Sequence, residues 1–186
     1  MGIGVIDFPS IRSSMYLEMM YKENLKPSYI VDAKYCNSIN DSFIFEEVKK
    51  HSQDYWIYTG GGIVKDRLLK EIKLIHMHPG FVPYYKGSTC FYYSLLNTNT
   101  ITVSALFMTG KLDSGDVILQ KTYKTIPEGD IDNFVDPYLR TQTLKEVLLK
   151  YKKEGELKGK KQTEEGETYF VIHPVLKHIA ILKARQ

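Results

Sequence analysis

Three short stretches hold residues that can do chemistry. His76-Met77-His78-Pro79-Gly80 closes an apolar run. Histidine titrates near neutral pH, donates or accepts at its ring nitrogens and ligates metals. At a strand end the two histidines are expected on opposite faces, or on either side of a bend. The ordinary version is one satisfied core histidine and one surface histidine. A metal pair needs a third ligand, and no convergent Cys or Glu is evident, so no metal is expected. Leu112-Asp113-Ser114-Gly115-Asp116 follows a strand-like run; Asp-Ser-Gly alone is an ordinary turn signal. Gly60-Gly61-Gly62 directly follows another apolar strand. Glycines there let backbone approach a ligand at the carboxyl end of a sheet strand. The pattern is neither GxGxxG nor followed by GK[S/T], so the nucleotide-phosphate motifs fail, and three glycines serve equally well as a turn.

These residues must be positioned by an alternating frame. Gly4-Val5-Ile6, residues 28–31, residues 55–58 and Leu74-Ile75 read as strands. Residues 13–24 read as a helix with Met15, Met19 and Met20 along a core stripe, and residues 64–71 as a short helix. Asp41 can cap a further helix carrying Phe43, Ile44 and Val48. Strand and helix alternate about every twenty residues, a rhythm of parallel strands joined by crossover helices. The expected fold is therefore α/β, with a mostly parallel Rossmann-like sheet. In the second half, residues 79–87 form a loop rich in Pro, Gly and Tyr, 88–96 a helix, and 101–108 and 117–123 strands. Residues 130–153 read as mostly helical, interrupted near Pro137, and 154–167 as a charged loop, most simply a solvated connection. Residues 168–172 and 178–182 read as a closing pair of strands around Pro174. The expected division is a core over residues 1–127, with 128–186 a C-terminal helix and closing strands of the same domain.

A chain of 186 residues, 43% hydrophobic, suffices for one domain with a real core. Its 25% charged residues are well mixed and sum to +3, too little for a strongly basic nucleic-acid-binding face. No apolar run approaches the roughly 20 residues needed to span a bilayer, and no basic-then-apolar leader opens the chain. A cytoplasmic protein with Cys36 and Cys90 as reduced thiols is expected. The 14 tyrosines cluster at Tyr84-Tyr85 and Tyr92-Tyr93, as stacking surface or as partly buried core.

The motifs are more specific together than apart. His-x-His-Pro, then Val82-Pro83-Tyr84-Tyr85-Lys86-Gly87, then about 25 residues later Leu-Asp-Ser-Gly-Asp, resembles the folate-dependent formyltransferase family. Its members include glycinamide ribonucleotide, methionyl-tRNA and sugar N-formyltransferases. They carry Asn-x-His-Pro-Ser-Leu-Leu-Pro-x-(Tyr/Trp)-(Arg/Pro)-Gly and then Leu-Asp-x-Gly. The resemblance covers residues 55–122 well. It implies the formyltransferase fold with a short C-terminal extension, 10-formyltetrahydrofolate as formyl donor and no metal. His78 resembles the family's catalytic histidine and Asp113 its catalytic aspartate. Gly60, Gly61, Gly62, Ile63 and Val64 resemble the loop that covers the pterin ring, and Met108, Thr109, Gly110, Lys111 and Leu112 the segment facing it. The family's asparagine falls on His76, and Gly80 replaces the usual serine. A histidine at position 76 still donates a hydrogen bond to a formyl oxygen.

On that resemblance the expected reaction is transfer of a formyl group to a small primary amine, with a nucleotide-linked amino sugar favoured. Tyr84, Tyr85, Lys86, Gly87 and Tyr92 are the expected substrate contacts, offering stacking and charge. Free amino acids, a carrier-bound aminoacyl group and glycinamide ribonucleotide remain open, whereas initiator tRNA is disfavoured by the nearly balanced charge. A monomer or homodimer without nucleic-acid or membrane partners is expected. A hydrolase passing the formyl group to water, or a non-catalytic ligand-binding domain lacking the asparagine, are the alternatives.

Overall fold

The computed structural model describes residues 3–6, 38–59 and 62–185. The expected helix at 13–24, the strand at 28–31, Cys36, Gly60 and Gly61 lie outside the described residues. The chain divides into two compact units, Met1–Lys73 and Leu74–Gln186.

In the first unit, β1 (Ile3–Ile6) pairs in parallel with β2 (Tyr55–Tyr58), Ile3 opposite Tyr55 and Ile6 opposite Tyr58. This is the parallel pairing that the strand–helix rhythm requires. Helix α1 (Ser42–Lys49) buries Ile44 and Val48 and leaves Phe43 toward solvent. Asp41 stands at its N-cap position, but its carboxylate accepts the Ser38 N–H (3.1 Å) instead of capping. Helix α2 is a single turn, Asp66–Leu69, shorter than expected. The chain before it is held extended: the Asn40 side chain donates to the Ile63 carbonyl and accepts the Lys65 N–H, both at 2.8 Å.

The second unit is organised around an antiparallel ladder of β3 (Lys73–His78), β5 (Ile101–Phe107) and β6 (Val117–Tyr123), with β5 in the middle. β5 is buried along Ile101 to Leu106. Its two buried hydroxyls are paired, Thr102 with Thr122 (2.8 Å) and Ser104 with the Gly80 carbonyl (2.6 Å). That satisfies polar groups that would otherwise be costly in a core strand. Between β3 and β5 lie a short strand, β4 (Tyr85–Gly87), and helix α3 (Cys90–Thr98). After β6, a π-helical turn (Ile131–Val135) runs directly into α4 (Asp136–Glu154), which packs on β5 and β6. The Asp130 carboxylate caps the turn through the Asn133 N–H (2.7 Å). Pro137 stands in the first turn of α4, where its missing N–H costs nothing. The irregularity expected near Pro137 is thus the junction of two helical windings.

Two readings of the C-terminal region need correction. Residues 178–182 are not a closing strand but part of helix α5 (Pro174–Ala184), which packs on α3. Pro174 opens the helix, and the His173 Nδ1 accepts the Val175 N–H (3.3 Å). Of the expected closing pair, the described residues keep one strand, β7 (Glu167–Tyr169), which pairs in parallel with β4. The segment 155–166 is also more than a solvated connection. Lys160 and Val117 exchange backbone hydrogen bonds, both 2.8 Å, and tack it to β6. Among the described residues no helix is long and apolar enough to cross a membrane.

Leu139 on α4 is 1% exposed. Leu139→Ala should destabilise the protein by about 2–5 kcal/mol, as a lost core side chain plus a cavity. Urea unfolding checks this through a lowered midpoint.

Candidate active site

β3 carries both histidines of the His-x-His motif to one place. The strand continues through His78, so His76 and His78, two residues apart, share a face and do not alternate. Their ring centroids are 6.2 Å apart. Their environments differ: His78 is 1% exposed and His76 half-buried. The sequence expectation of one core and one surface histidine is thus nearly met, on one face of one strand.

The His78 ring is locked at both nitrogens. Its Nε2 lies 2.8 Å from the Tyr85 carbonyl oxygen. A carbonyl only accepts, so Nε2 carries the proton. In the neutral ring, Nδ1 therefore presents a lone pair. That Nδ1 lies 3.4 Å from the Asp113 Oδ2. Burial pushes the His78 imidazole down to about 4, against the opposing effect of the Tyr85 hydrogen bond. The neutral ring is therefore the form present at physiological pH.

Asp113 arrives from the other side, on the β5–β6 connection. Its backbone is left-handed, with φ 45°. Its Oδ2 also accepts the Gly87 N–H (2.9 Å), and Lys86 donates to the neighbouring Ser114 hydroxyl (3.2 Å). Strand β4 therefore supplies a carbonyl to His78 through Tyr85 and an N–H to Asp113 through Gly87. Pairing with β7 steadies β4: Tyr169 stacks on Tyr85 with centroids 5.4 Å apart, and Ser88 N–H donates to the Tyr169 carbonyl (2.8 Å).

Gly80 and Gly115 are among the glycines needed sterically. A Cβ at Gly80 would stand 2.5 Å from His78 Nε2 and 2.6 Å from the Tyr85 oxygen, on top of the hydrogen bond that fixes the ring. A Cβ at Gly115 would stand 1.6 Å from the Phe107 carbonyl, blocking the return of the Asp113 turn to β6. A polar layer supports the turn after His78. Ser104 Oγ donates to the Gly80 carbonyl, and Gln120 Nε2 donates to the Val82 carbonyl (2.7 Å) and to Ser104 Oγ (3.1 Å).

Sequence reasoning missed Gln162. Its Nε2 donates to the carbonyls of Asp113 (2.9 Å) and Gly115 (2.8 Å), clamping the turn that presents Asp113. Nothing local signals this, because the partners lie 47 and 49 residues apart in a stretch that reads as a charged loop. The same segment and β6 border a cavity of about 480 Å³, lined in part by Val82, Pro83, Gln120 and Lys160.

The other expected site residues divide. Ile63 is largely exposed and Val64 buried, and Gly62 has a positive φ of 106°. Met108 N–H donates to the Leu74 carbonyl (2.7 Å), Thr109 Oγ1 to the Lys111 carbonyl (3.2 Å), and Leu112 is exposed. Gly110 and Lys111 are exposed in the same connection, which leads straight to Asp113. Tyr84 is exposed, its hydroxyl bonded to Glu164. Tyr92 does not offer a stacking surface as expected. It is buried at 3%, with its hydroxyl on Asp132 and Lys177 over its ring. The helical period of α3 turns it into the core. Asp113 also corrects the expectation that no third ligand converges on the histidines. Among the described residues, His76, His78 and Asp113 each offer a ligand atom, all within 4.8 Å of one another.

The fold and this site define a mixed α/β protein with a buried histidine facing an aspartate across a β5–β6 turn. The chain belongs to the formyl transferase family, whose model matches residues 23–148. It is 32% identical over 85 residues to the methionyl-tRNA formyltransferase of Finegoldia magna, a match covering 44% of this chain and 27% of that relative. The chain thus matches about a quarter of that relative's length. A sugar N-formyltransferase from Shewanella has a similar fold at 16% identity and TM-score 0.63, over 99% of this chain and 87% of that one. So does the formyltransferase PseJ from Anoxybacillus kamchatkensis, solved in complex with UDP-4,6-dideoxy-4-formamido-L-AltNAc and tetrahydrofolate. It is 17% identical with TM-score 0.54, over 91% of this chain and 86% of that one.

Two outcomes test the geometry. Gly80→Ala should cost about 1–3 kcal/mol, the usual cost of overpacking, because the methyl group enters the His78–Tyr85 contact. Urea unfolding measures it, and no loss would mean that the turn relaxes freely. The second concerns pH. His78 titrates at about 4 folded and at 6.5 when free. Between these values the unfolded chain binds a proton that the folded chain does not. Stability is therefore full above 6.5 and falls as pH drops toward 4, by about 3 kcal/mol in all. Unfolding of metal-free protein at about pH 7.5 and about pH 5, on either side of the free histidine value, should show about 2 kcal/mol of this loss, the remainder coming only as pH approaches 4. His78→Gln should flatten it, and an unchanged slope would place the acid sensitivity elsewhere.

Proposed function

We propose that the protein transfers a formyl group from 10-formyltetrahydrofolate to a small primary amine, with His78 and Asp113 managing the protons. The observation that carries the reading is the buried His78, locked by the Tyr85 carbonyl at 2.8 Å and facing Asp113 at 3.4 Å. Family membership supplies the reaction class.

The chemistry suits those groups. A neutral amine attacks the formyl carbon, and the formyl oxygen gains negative charge. One proton must then leave the attacking nitrogen and one must reach the departing folate nitrogen. The His78 Nε2–H is committed to Tyr85, so this ring is not the donor to the oxyanion; the half-buried His76 takes that task. Removing one such donor costs roughly 3 kcal/mol of barrier. The His78 Nδ1 lone pair accepts the amine proton directly or through a water, and Asp113 faces the resulting cation. Desolvation makes that imidazolium a ready acid, suited to protonating the weakly basic folate nitrogen. The connection of half-buried Met108 and exposed Gly110 and Leu112 leads to Asp113 and is the surface proposed to carry the folate ring.

For the acceptor we favour a nucleotide-linked amino sugar. The solved relatives of similar fold include a sugar N-formyltransferase and a complex with a UDP-linked formamido sugar and tetrahydrofolate. The exposed Tyr84 and the cationic Lys86 stand on the strand and turn beside Asp113 and suit a base and a phosphate. The curated relatives that are methionyl-tRNA formyltransferases favour a second reading, an aminoacyl acceptor.

Incubating the protein with 10-formyltetrahydrofolate and a panel of amines, with mass spectrometry for a gain of one formyl group, separates the two acceptors. Formate release without any amine would instead mark a hydrolase. Asp113→Asn should lower turnover by about 100-fold or more with the fold intact, the usual worth of a positioned acid or base. A variant keeping half of wild-type turnover would remove Asp113 from the reaction.

A further inference from the structure

We propose that His76, His78 and Asp113 form a binding site for a divalent transition metal such as Zn²⁺. The donor set is two imidazoles and a carboxylate, which suits such an ion and leaves a fourth position for water. Three observations make it more than a cluster of polar residues. First, His78 is already arranged as a metal ligand. Its Nε2–H is held by the Tyr85 carbonyl (2.8 Å), the usual outer partner of a ligating histidine, and its Nδ1 lone pair points to the site. Second, the separation between His78 Nδ1 and Asp113 Oδ2, 3.4 Å, matches a tetrahedron edge. Bonds of about 2.0–2.1 Å give an edge of ~3.3 Å. Third, the remaining ligand comes from His76, on the same face of β3, and all three donor atoms lie within 4.8 Å of one another. The half-buried His76 ring closes the remaining gap by rotating from its present contacts. Asp113 is itself held by the Gly87 N–H and by the Gln162 clamp on its turn, so two of the three ligands are preset.

The family's asparagine at position 76 would supply no imidazole, so the site is a property of this chain's own sequence. Metal and formyl transfer exclude each other. A bound ion occupies the His78 lone pair and the Asp113 oxygen that the proposed reaction uses for protons. That consequence rests on the formyl-transfer reading; the binding itself does not.

Titration calorimetry of the metal-stripped protein with Zn²⁺ alone tests the binding, and the visible spectrum of added Co²⁺ reports tetrahedral coordination. One equivalent should bind, and His76→Asn should weaken it by at least about tenfold, the least expected when even an outer partner of a ligand is lost. His51→Ala is the control, because the exposed His51 lies 3.4 Å from Asp54 and could take up metal adventitiously; this variant should bind as wild type does. No stoichiometric binding, unchanged binding in His76→Asn, or loss in His51→Ala would each overturn the site. In a transfer assay Zn²⁺ should inhibit wild type and chelator restore it. If the protein binds Zn²⁺ but transfers no formyl group with or without it, the metal site stands and the formyl-transfer reading falls.

Discussion

The hydrogen bond from His78 to the Tyr85 carbonyl sets the terms for the rest of the site. A histidine at the end of a buried strand must satisfy one nitrogen inside the protein, and this bond does so. It fixes the tautomer and so leaves the other nitrogen as a bare acceptor. Burial keeps the ring neutral, so that acceptor persists at physiological pH. Everything placed opposite it, Asp113 above all, meets a lone pair and not a proton.

Making that bond requires the chain to fold back tightly after β3. The return is possible because Gly80 has no side chain to collide with the ring and because Ser104 and Gln120 satisfy the carbonyls of the turn from below. The same strand that returns, β4, then gives Asp113 its backbone donor through Gly87. One short strand therefore holds both partners of the pair. It is itself held by β7 from about 80 residues further along, which is how a region that looks peripheral contributes to the site. Gln162 adds to this, although its Oε1 is buried without a partner in the structure, a cost the two hydrogen bonds from Nε2 must offset.

His76 shows how burial divides labour between identical side chains. Both histidines lie on the same face of β3, yet one is sealed and the other half-buried. The sealed ring is neutral and oriented, whereas the other stays half-buried.

Much of the frame was legible in the residues. β2 and β6 run over the expected residues, and the two motifs with their spacing pointed to His78, Asp113 and the family, because turn chemistry and the period of an apolar strand are local properties. Other features were not. The shared face of the two histidines depended on β3 running through His78 without bending. The C-terminal helix carried an apolar pattern short enough to read as a strand, and packing on α3 selected the helix. Tyr92 was expected to contact substrate although the tyrosine clusters also suited a partly buried core, and a tyrosine pair gives no hint of which way a helix is turned. The Gln162 clamp, the carbonyl that fixes His78 and the approach of Asp113 to the two histidines are all contacts between segments distant in sequence. Local pattern carries no term for such contacts: they exist only once the ladder of β3, β5 and β6 has brought those backbones together.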